Sequence, residues 1–410
     1  MLFSRLCRRV LLTIVLVLPL LLIAQNQAAA PVSFSDSFAP AEFAQIEPWL
    51  KNSRIIGAGE ATHGTHEFGL YRKNLFRYLV QTGQTRAFFL EADAGCCFAI
   101  NRYIQGDTGN PESLIKNIRL WPFINDDLID IVKWMRSYND VHPTDKLRFQ
   151  GADVQFIQDD IGLYFQYGRN VLSAKDSQFL TTLKKIQADT LAKHFPDSFF
   201  SYVSQLNRME CELNDEMQNG EILRGFLRGM KQYMHLHSPE KTYNTRDSFM
   251  AENMLYFNSM YPEKGIFYYA HNGHVAKIRN ARYGMRTGYY LGKKYPEYLA
   301  IGAECFSGQF RAVGKNFKTN TYTPGIFTLP EPRRKTLSHI LHKKYGQNLA
   351  LQTAVFPKYK KMNVTMIGAV FYQEFPHRAR KILSQPLFHC FDIIVYTERS
   401  SPITYLGKQK

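Results

Sequence analysis

Seven short apolar runs, each stopped by a turn residue or a polar end, set the strongest limit on what this chain can fold into. They are RIIGAG (54–59), RAFFLEA (86–92), LRFQGAD (147–153), GIFYYAHN (265–272), YLAIGAE (298–304), VTMIGAV (364–370) and FDIIVYT (391–397). Runs of this length and bounding read as buried strands. Helical patterns lie between the first three, such as FGLYRKNLFRYLVQTG and DDLIDIVKWMRSYND. That alternation predicts an α/β fold, a mostly parallel sheet covered by helices. Residues 157–257 interrupt it with polar, helical segments such as DSQFLTTLKKIQADTLAKHF and ILRGFLRGMKQYMHLH. This span is expected to be a helical insertion near the middle of the chain. It either caps the sheet or lays its helices on the sheet faces. With 410 residues and 45% hydrophobic content, the chain can fill one large domain or two ordinary ones. Neither disorder nor a fibrous repeat fits.

The N-terminus reads as an export signal. MLFSRLCRR supplies Arg5, Arg8 and Arg9, VLLTIVLVLPLLLIA (10–24) is uncharged and apolar, and QNQAAAP offers small residues for cleavage. An apolar run this short is a poor membrane span. Residues 1–30 are therefore expected to be a signal peptide, cut between Ala28 and Ala30, with the domain at 31–410. The protein is expected in the periplasm or outside the cell, touching membrane only through that leader. The formal charge of +16 is spread along the chain, as in KYKK (358–361) and RARK (378–381), with no dense block. A solvated basic surface is the plain reading, with an acidic ligand or anionic membrane as the alternative. No nucleic-acid module is recognisable. Five cysteines follow the leader, Cys96, Cys97, Cys211, Cys305 and Cys390. An odd number leaves at least one outside any intrachain disulfide, and no pair has zinc-ribbon spacing.

Ligands of parallel α/β sheets bind outside the carboxyl ends of the strands. Four predicted strands end in ionisable groups: Glu60 and His63, Glu91 and Asp93, Asp153, and His271 and His274. One rim is thus expected to hold a polar pocket. On the helix after the first strand, Phe68, Leu75, Phe76 and Leu79 share a face with Arg72. That arginine either holds Glu60 or Glu91 ionised or snorkels to the surface. No G-x-S-x-G elbow exists; Ser307, in CFSGQ, lacks the preceding glycine. A thiol exported to an oxidising compartment is a poor standing nucleophile. A hydrolase built on these residues would use water, with histidine as base. In that reading His63 takes the proton, Glu60 and Glu91 orient the ring, and His271 and His274 hold substrate or the developing oxyanion. The competing reading makes Glu60, His63, His66, His271 and His274 metal ligands, with zinc the default, and spacing alone tilts toward it. A third keeps some of them as ordinary hydrogen-bonded groups, His66 first. A reading from another class is a periplasmic protein that binds a ligand such as haem through His271, His274 or Tyr269.

GEATHGTHE (59–67) and YAHNGHVAK (269–277) resemble the paired signatures of the erythromycin esterase family. FFLEAD with Glu91, FQGADVQ with Asp153, TRDSFMAEN (245–253), AIGAECFSGQF (300–310) and FDIIVYTERSSP follow in the right order. The resemblance spans roughly residues 40–403. It implies a three-layer α/β fold with a helical insertion and a deep cleft, and hydrolysis of a macrolide lactone or related ester without metal or other cofactor. It assigns His63 as the base, with Glu60, Arg72 and Glu91 around it and His271 and His274 across the cleft. His66, Asp153 and Arg246 become the expected substrate contacts. His66 and the Cys96-Cys97 pair depart from the family pattern, as does the leader.

Overall fold

The computed structural model describes residues 28–188, 199–214, 217, 219–238, 242, 245–262, 264–280 and 284–407. The leader lies outside the described residues as far as residue 27. In chain order the strands are β1 (Ala29–Pro31), β2 (Ile55–Ala58), β3 (Ala87–Asp93), β4 (Arg148–Asp153), β5 (Ile266–Tyr269), β6 (Arg279–Asn280), β7 (Gly284–Met285), β8 (Tyr298–Asn316), β9 (Thr321–Thr328), β10 (Leu349–Gln352), β11 (Asn363–Thr365), β12 (Val370–Tyr372), β13 (Arg380–Ile382) and β14 (Ile393–Ser400). The main sheet runs β1-β10-β14-β8-β2-β5-β3-β4. From β14 to β4 every neighbouring pair is parallel; β1, β10 and β14 pair antiparallel at the other edge. Ala29 and Ala30 pair with Leu351 and Ala350, so a cut after Ala30 would leave β1 with Pro31 alone.

Period-two alternation makes this a three-layer structure. Phe88 and Leu90 point into one core with Leu75, Phe76 and Leu79 from the helix His66–Gln81 and Ile131 and Val132 from the helix Asp126–Val141. Ala87 and Phe89 point the other way, onto Met250, Met254 and Phe257 of the helix Thr245–Met260. Each buried Phe contributes about 1.5–3 kcal/mol relative to exposure, so a slip by one residue would forfeit both faces.

Three expectations need correction. The insertion was expected over about 157–257. The helices Gln158–Tyr167, Ala174–Ala188, Phe199–Cys211 and Gly220–Leu236 do build a separate core, in which Ile161, Leu180, Leu206, Leu227 and Met230 are buried. The helix Thr245–Met260 belongs to the sheet instead, because its Met250, Met254 and Phe257 fill the layer under β3 and β5. The run 364–370 is not one strand: β11 pairs with β13 in a small separate sheet, and β12 joins the far end of β8. Val364 joins the core under the main sheet, while Ile367 fills a side layer with Phe310 and Phe371. The strand read at 298–304 extends to Asn316. Its last main-sheet partner is Ser400, opposite Gly308; from Gln309 onward it pairs with β9. Gly308 has φ +116°, and a Cβ there would meet the Ser400 carbonyl at 2.1 Å. Only glycine lets β8 leave one sheet for the other at that point.

Candidate active site

The loop between β2 and the helix His66–Gln81 carries the first cluster. It is pressed against β8: a Cβ on Gly64 would fall 2.0 Å from the Arg311 carbonyl. Glu60 is buried and divides its carboxylate between two partners. Oε1 lies 2.6 Å from His63 Nδ1, and Oε2 accepts from Arg72 at 2.6 Å. Arg72 is 1% exposed, donates to the Phe68 carbonyl at 3.0 Å, and lies 3.3 Å over the Tyr269 ring. It does not snorkel. Burial pushes the Glu60 carboxyl up, but Arg72 and His63 outweigh it and hold the group below its usual value. Glu60 is thus an anion that accepts a hydrogen bond from the Nδ1–H, which leaves Nε2 of His63 as the nitrogen free to take a proton.

β5, next to β2 in the sheet, and β3 beyond it supply the opposite wall. His271 stacks beside His63 with ring centroids 4.9 Å apart, and Phe123 meets His63 edge-on at 6.3 Å. The His271 backbone N–H donates to Glu91 Oε2 at 2.8 Å, so Glu91 and His271 sit within one hollow with His63. His271 is buried with both nitrogens engaged: Nδ1 accepts from the Gly273 N–H and Nε2 donates to the Ile367 carbonyl, each at 3.1 Å. Burial, reinforced by His63, lowers its pKa to about 3, so it is neutral. His274 is its opposite. Nδ1 meets Asp247 at 2.8 Å and Nε2 meets Glu91 at 3.2 Å. Burial alone would lower His274, but these two carboxylates raise it to about 10, so it is an imidazolium. Asn272 clamps the turn between them, exchanging two side-chain bonds with the Ala303 backbone at 2.8 and 2.9 Å.

Arg246 bridges Asp153, at 2.5 and 2.9 Å, and Glu91, at 3.2 Å. The expected contacts Asp153 and Arg246 therefore meet each other and Glu91. His66 lies apart: it bonds Asp127 at 2.9 Å, and its side chain is 33% exposed. Glu67 turns away to hold Ser401 through its backbone N–H at 2.8 Å and its hydroxyl at 2.6 Å. The crowd at 60–67 is thus half site and half scaffold. Replacing His66 with alanine leaves the buried Asp127 carboxylate without this partner and is expected to cost about 1–3 kcal/mol. Turnover should stay within a few-fold; a loss beyond tenfold would return His66 to the substrate.

Sequence reasoning missed Asp247, although it lies in the quoted TRDSFMAEN segment. It also accepts from Arg286 at 3.1 Å and from the Thr287 N–H at 2.9 Å; burial pushes it up, but His274, Arg286 and Thr287 outweigh that and hold it at about 2. An acid beside an arginine in the first turn of a helix was the available signal. Ser307 donates to the Glu398 carbonyl at 3.0 Å and plays no part. Cys96, Cys97, Cys305 and Cys390 are buried and Cys211 exposed, all unpaired. Among the described residues, no three His, Cys, Asp or Glu side chains converge as a metal-ligand set.

Comparison with known proteins bears on this arrangement. The family model described as erythromycin esterase matches residues 80–402. Erythromycin esterase type I of Escherichia coli is 23% identical over 304 residues, 65% of this chain and 72% of that protein. A solved structure described as a succinoglycan biosynthesis protein superposes with TM-score 0.79 at 22% identity, covering 93% of this chain and 97% of that one. A histidine variant of the erythromycin esterase EreC in its open conformation gives TM-score 0.72 at 16% identity, covering 93% and 100%.

Proposed function

The chain belongs to the erythromycin esterase family, and from that premise we propose that it hydrolyses a lactone or other carboxylic ester with water activated by His63. The observation that carries the proposal is the relay Arg72–Glu60–His63, with both Glu60 oxygens engaged at 2.6 Å. Glu60 fixes the Nδ1–H tautomer, and Nε2 removes a proton from water as the oxygen attacks the ester carbonyl. The His63 imidazolium then returns that proton to the departing alkoxide. General-base catalysis gives about 10²–10⁴-fold, so the oxyanion needs separate help. The His274 imidazolium and Arg246 guanidinium stand beside Glu91 and supply positive field. The His271 Nε2–H becomes a direct donor if a substrate oxygen replaces the Ile367 carbonyl.

The leader carries the further proposal that the enzyme works in the periplasm or outside the cell. Among the described residues no helix is long and apolar enough to cross a membrane.

Untagged mature protein should hydrolyse members of a panel of macrolides and aryl esters, at rates unchanged by chelator. Stoichiometric zinc or iron by elemental analysis, with activity lost on chelation and restored by the metal, would replace the base reading with metal-assisted hydrolysis.

A further inference from the structure

A cavity of about 590 Å³ opens beside the His271–His274 turn. Gly273, between the two histidines, forms part of its wall, as do Ile367, which accepts from His271, and Arg286, which holds Asp247. The volume falls in the range of small-molecule sites, roughly 300–1,000 Å³. The opposite wall is the segment after β12, which contains the RARK stretch (378–381). Arg378, Arg380 and Lys381 all line the cavity, and no Asp or Glu does.

These cations are poorly compensated. Arg378 lies over the Phe375 ring at 4.5 Å, and Lys381 is exposed at the rim; neither meets a carboxylate among the described residues. Arg380 donates to the Pro330 carbonyl at 2.7 Å rather than to an acid. Partial desolvation at the rim and the charge of Arg286 pull the Lys381 ammonium below the usual lysine range. Between the cations, Ile278, Met366 and Phe371 give the cavity an apolar body. Like charges held around an apolar hollow without counter-ions focus potential on whatever enters, and they favour an anion.

We propose that this cavity receives the acid-bearing part of the substrate: an ester with an apolar body and a carboxylate, phosphate or sulfate at its far end. The inference rests on the hydrolase reading for its orientation, with the anion held by Arg378 and Lys381 and the ester directed toward His271 and His63. It also sets this chain apart from the macrolide in its family's name. Erythromycin carries a protonated amino sugar at neutral pH, and a cavity rimmed by cations repels that group.

The test separates the two readings. Calorimetric titration of the wild-type protein at low salt should show 4-phenylbutyrate binding at least tenfold more tightly than 4-phenylbutylamine. The preference should shrink as salt is raised. In Arg378→Gln/Lys381→Gln it should fall to about twofold or less. In parallel, kcat/KM for an aryl ester ending in a carboxylate should exceed that of its neutral counterpart by tenfold or more. Phenylbutylamine binding as well as phenylbutyrate, or an undiminished preference in the double variant, overturns the inference. Carboxylate binding with no turnover of either ester upholds the cavity and sinks the hydrolase reading. Turnover of neutral esters without carboxylate preference does the reverse.

Discussion

Replacing His63 with alanine is expected to lower kcat by roughly 10²–10⁴-fold, about 3–5 kcal/mol of barrier, with KM little changed and the fold intact. The side chain is mostly buried; its contacts are Glu60 at 2.6 Å and the rings of His271 and Phe123. Its loss leaves Glu60 still paired with Arg72, so no charge is stranded. Glu60→Gln keeps the shape and removes the charge that fixes the tautomer, and a smaller loss of turnover should follow. Because Glu60 acts through His63, the double variant should be no slower than His63→Ala alone. Additive losses would show that Glu60 works independently. Glu60→Gln also leaves the Arg72 guanidinium buried beside a neutral amide, which endangers about 3–5 kcal/mol of stability. Circular dichroism at the assay temperature must therefore accompany the rates. Wild-type turnover in folded His63→Ala would end the assignment of His63 as base.

Why this cluster was readable from sequence is a matter of topology. In a parallel sheet, adjacent strands end at the same rim, and β2, β5, β3 and β4 are consecutive neighbours. Residues at their ends had to meet, so Glu60, Glu91, Asp153 and His271 were brought together by strand prediction and the rim rule alone. Helical spacing put Arg72 on the face of Phe68 but left open whether it paired or snorkelled, which its burial decides. What failed to show was whatever depends on a partner's identity. His66 looked like a member of the cluster, yet its fate is set by Asp127, which only the packing of two helices brings near. Asp247 was passed over, yet burial makes it the anchor of His274. The run 364–370 had the composition of a core strand, and nothing local records that β8 outgrows the main sheet and takes β12 with it. Charge states were the least legible: His271 and His274 share a motif, and only their surroundings make one neutral and the other cationic.

That opposition should make the two histidines pull stability in opposite directions with pH. His274 titrates at about 10 in the folded protein and 6.5 when unfolded, so its contribution is complete below pH 6.5 and is lost as pH rises through 10. His271 titrates at about 3 when folded, so its contribution is complete above pH 6.5 and is lost as pH falls toward 3. At about 1.4 kcal/mol per unit, each limb is worth at most about 5 kcal/mol. Other groups titrate in the same ranges. Glu91 and Asp247 are both held low, and they add to the acid limb only where unfolded carboxyls protonate, below about pH 4.5. The Asp93 carboxyl is pushed up to about 8 by burial and Asp153, and its stabilisation fades between 3.8 and 8. From pH 4.5 to 6.5 the Asp93 and His271 slopes have opposite signs and offset each other, whereas from 8 to 10 the alkaline limb belongs chiefly to His274. Thermal melts across pH 6.5–10 should show that alkaline limb. His274→Gln should lower the whole curve, because Glu91 and Asp247 lose their shared cation, while flattening the slope between pH 8 and 10. An unchanged alkaline slope in that variant would mean that His274 is not the imidazolium that Glu91 and Asp247 enclose, and the positive field assigned to the oxyanion would then rest on Arg246 alone.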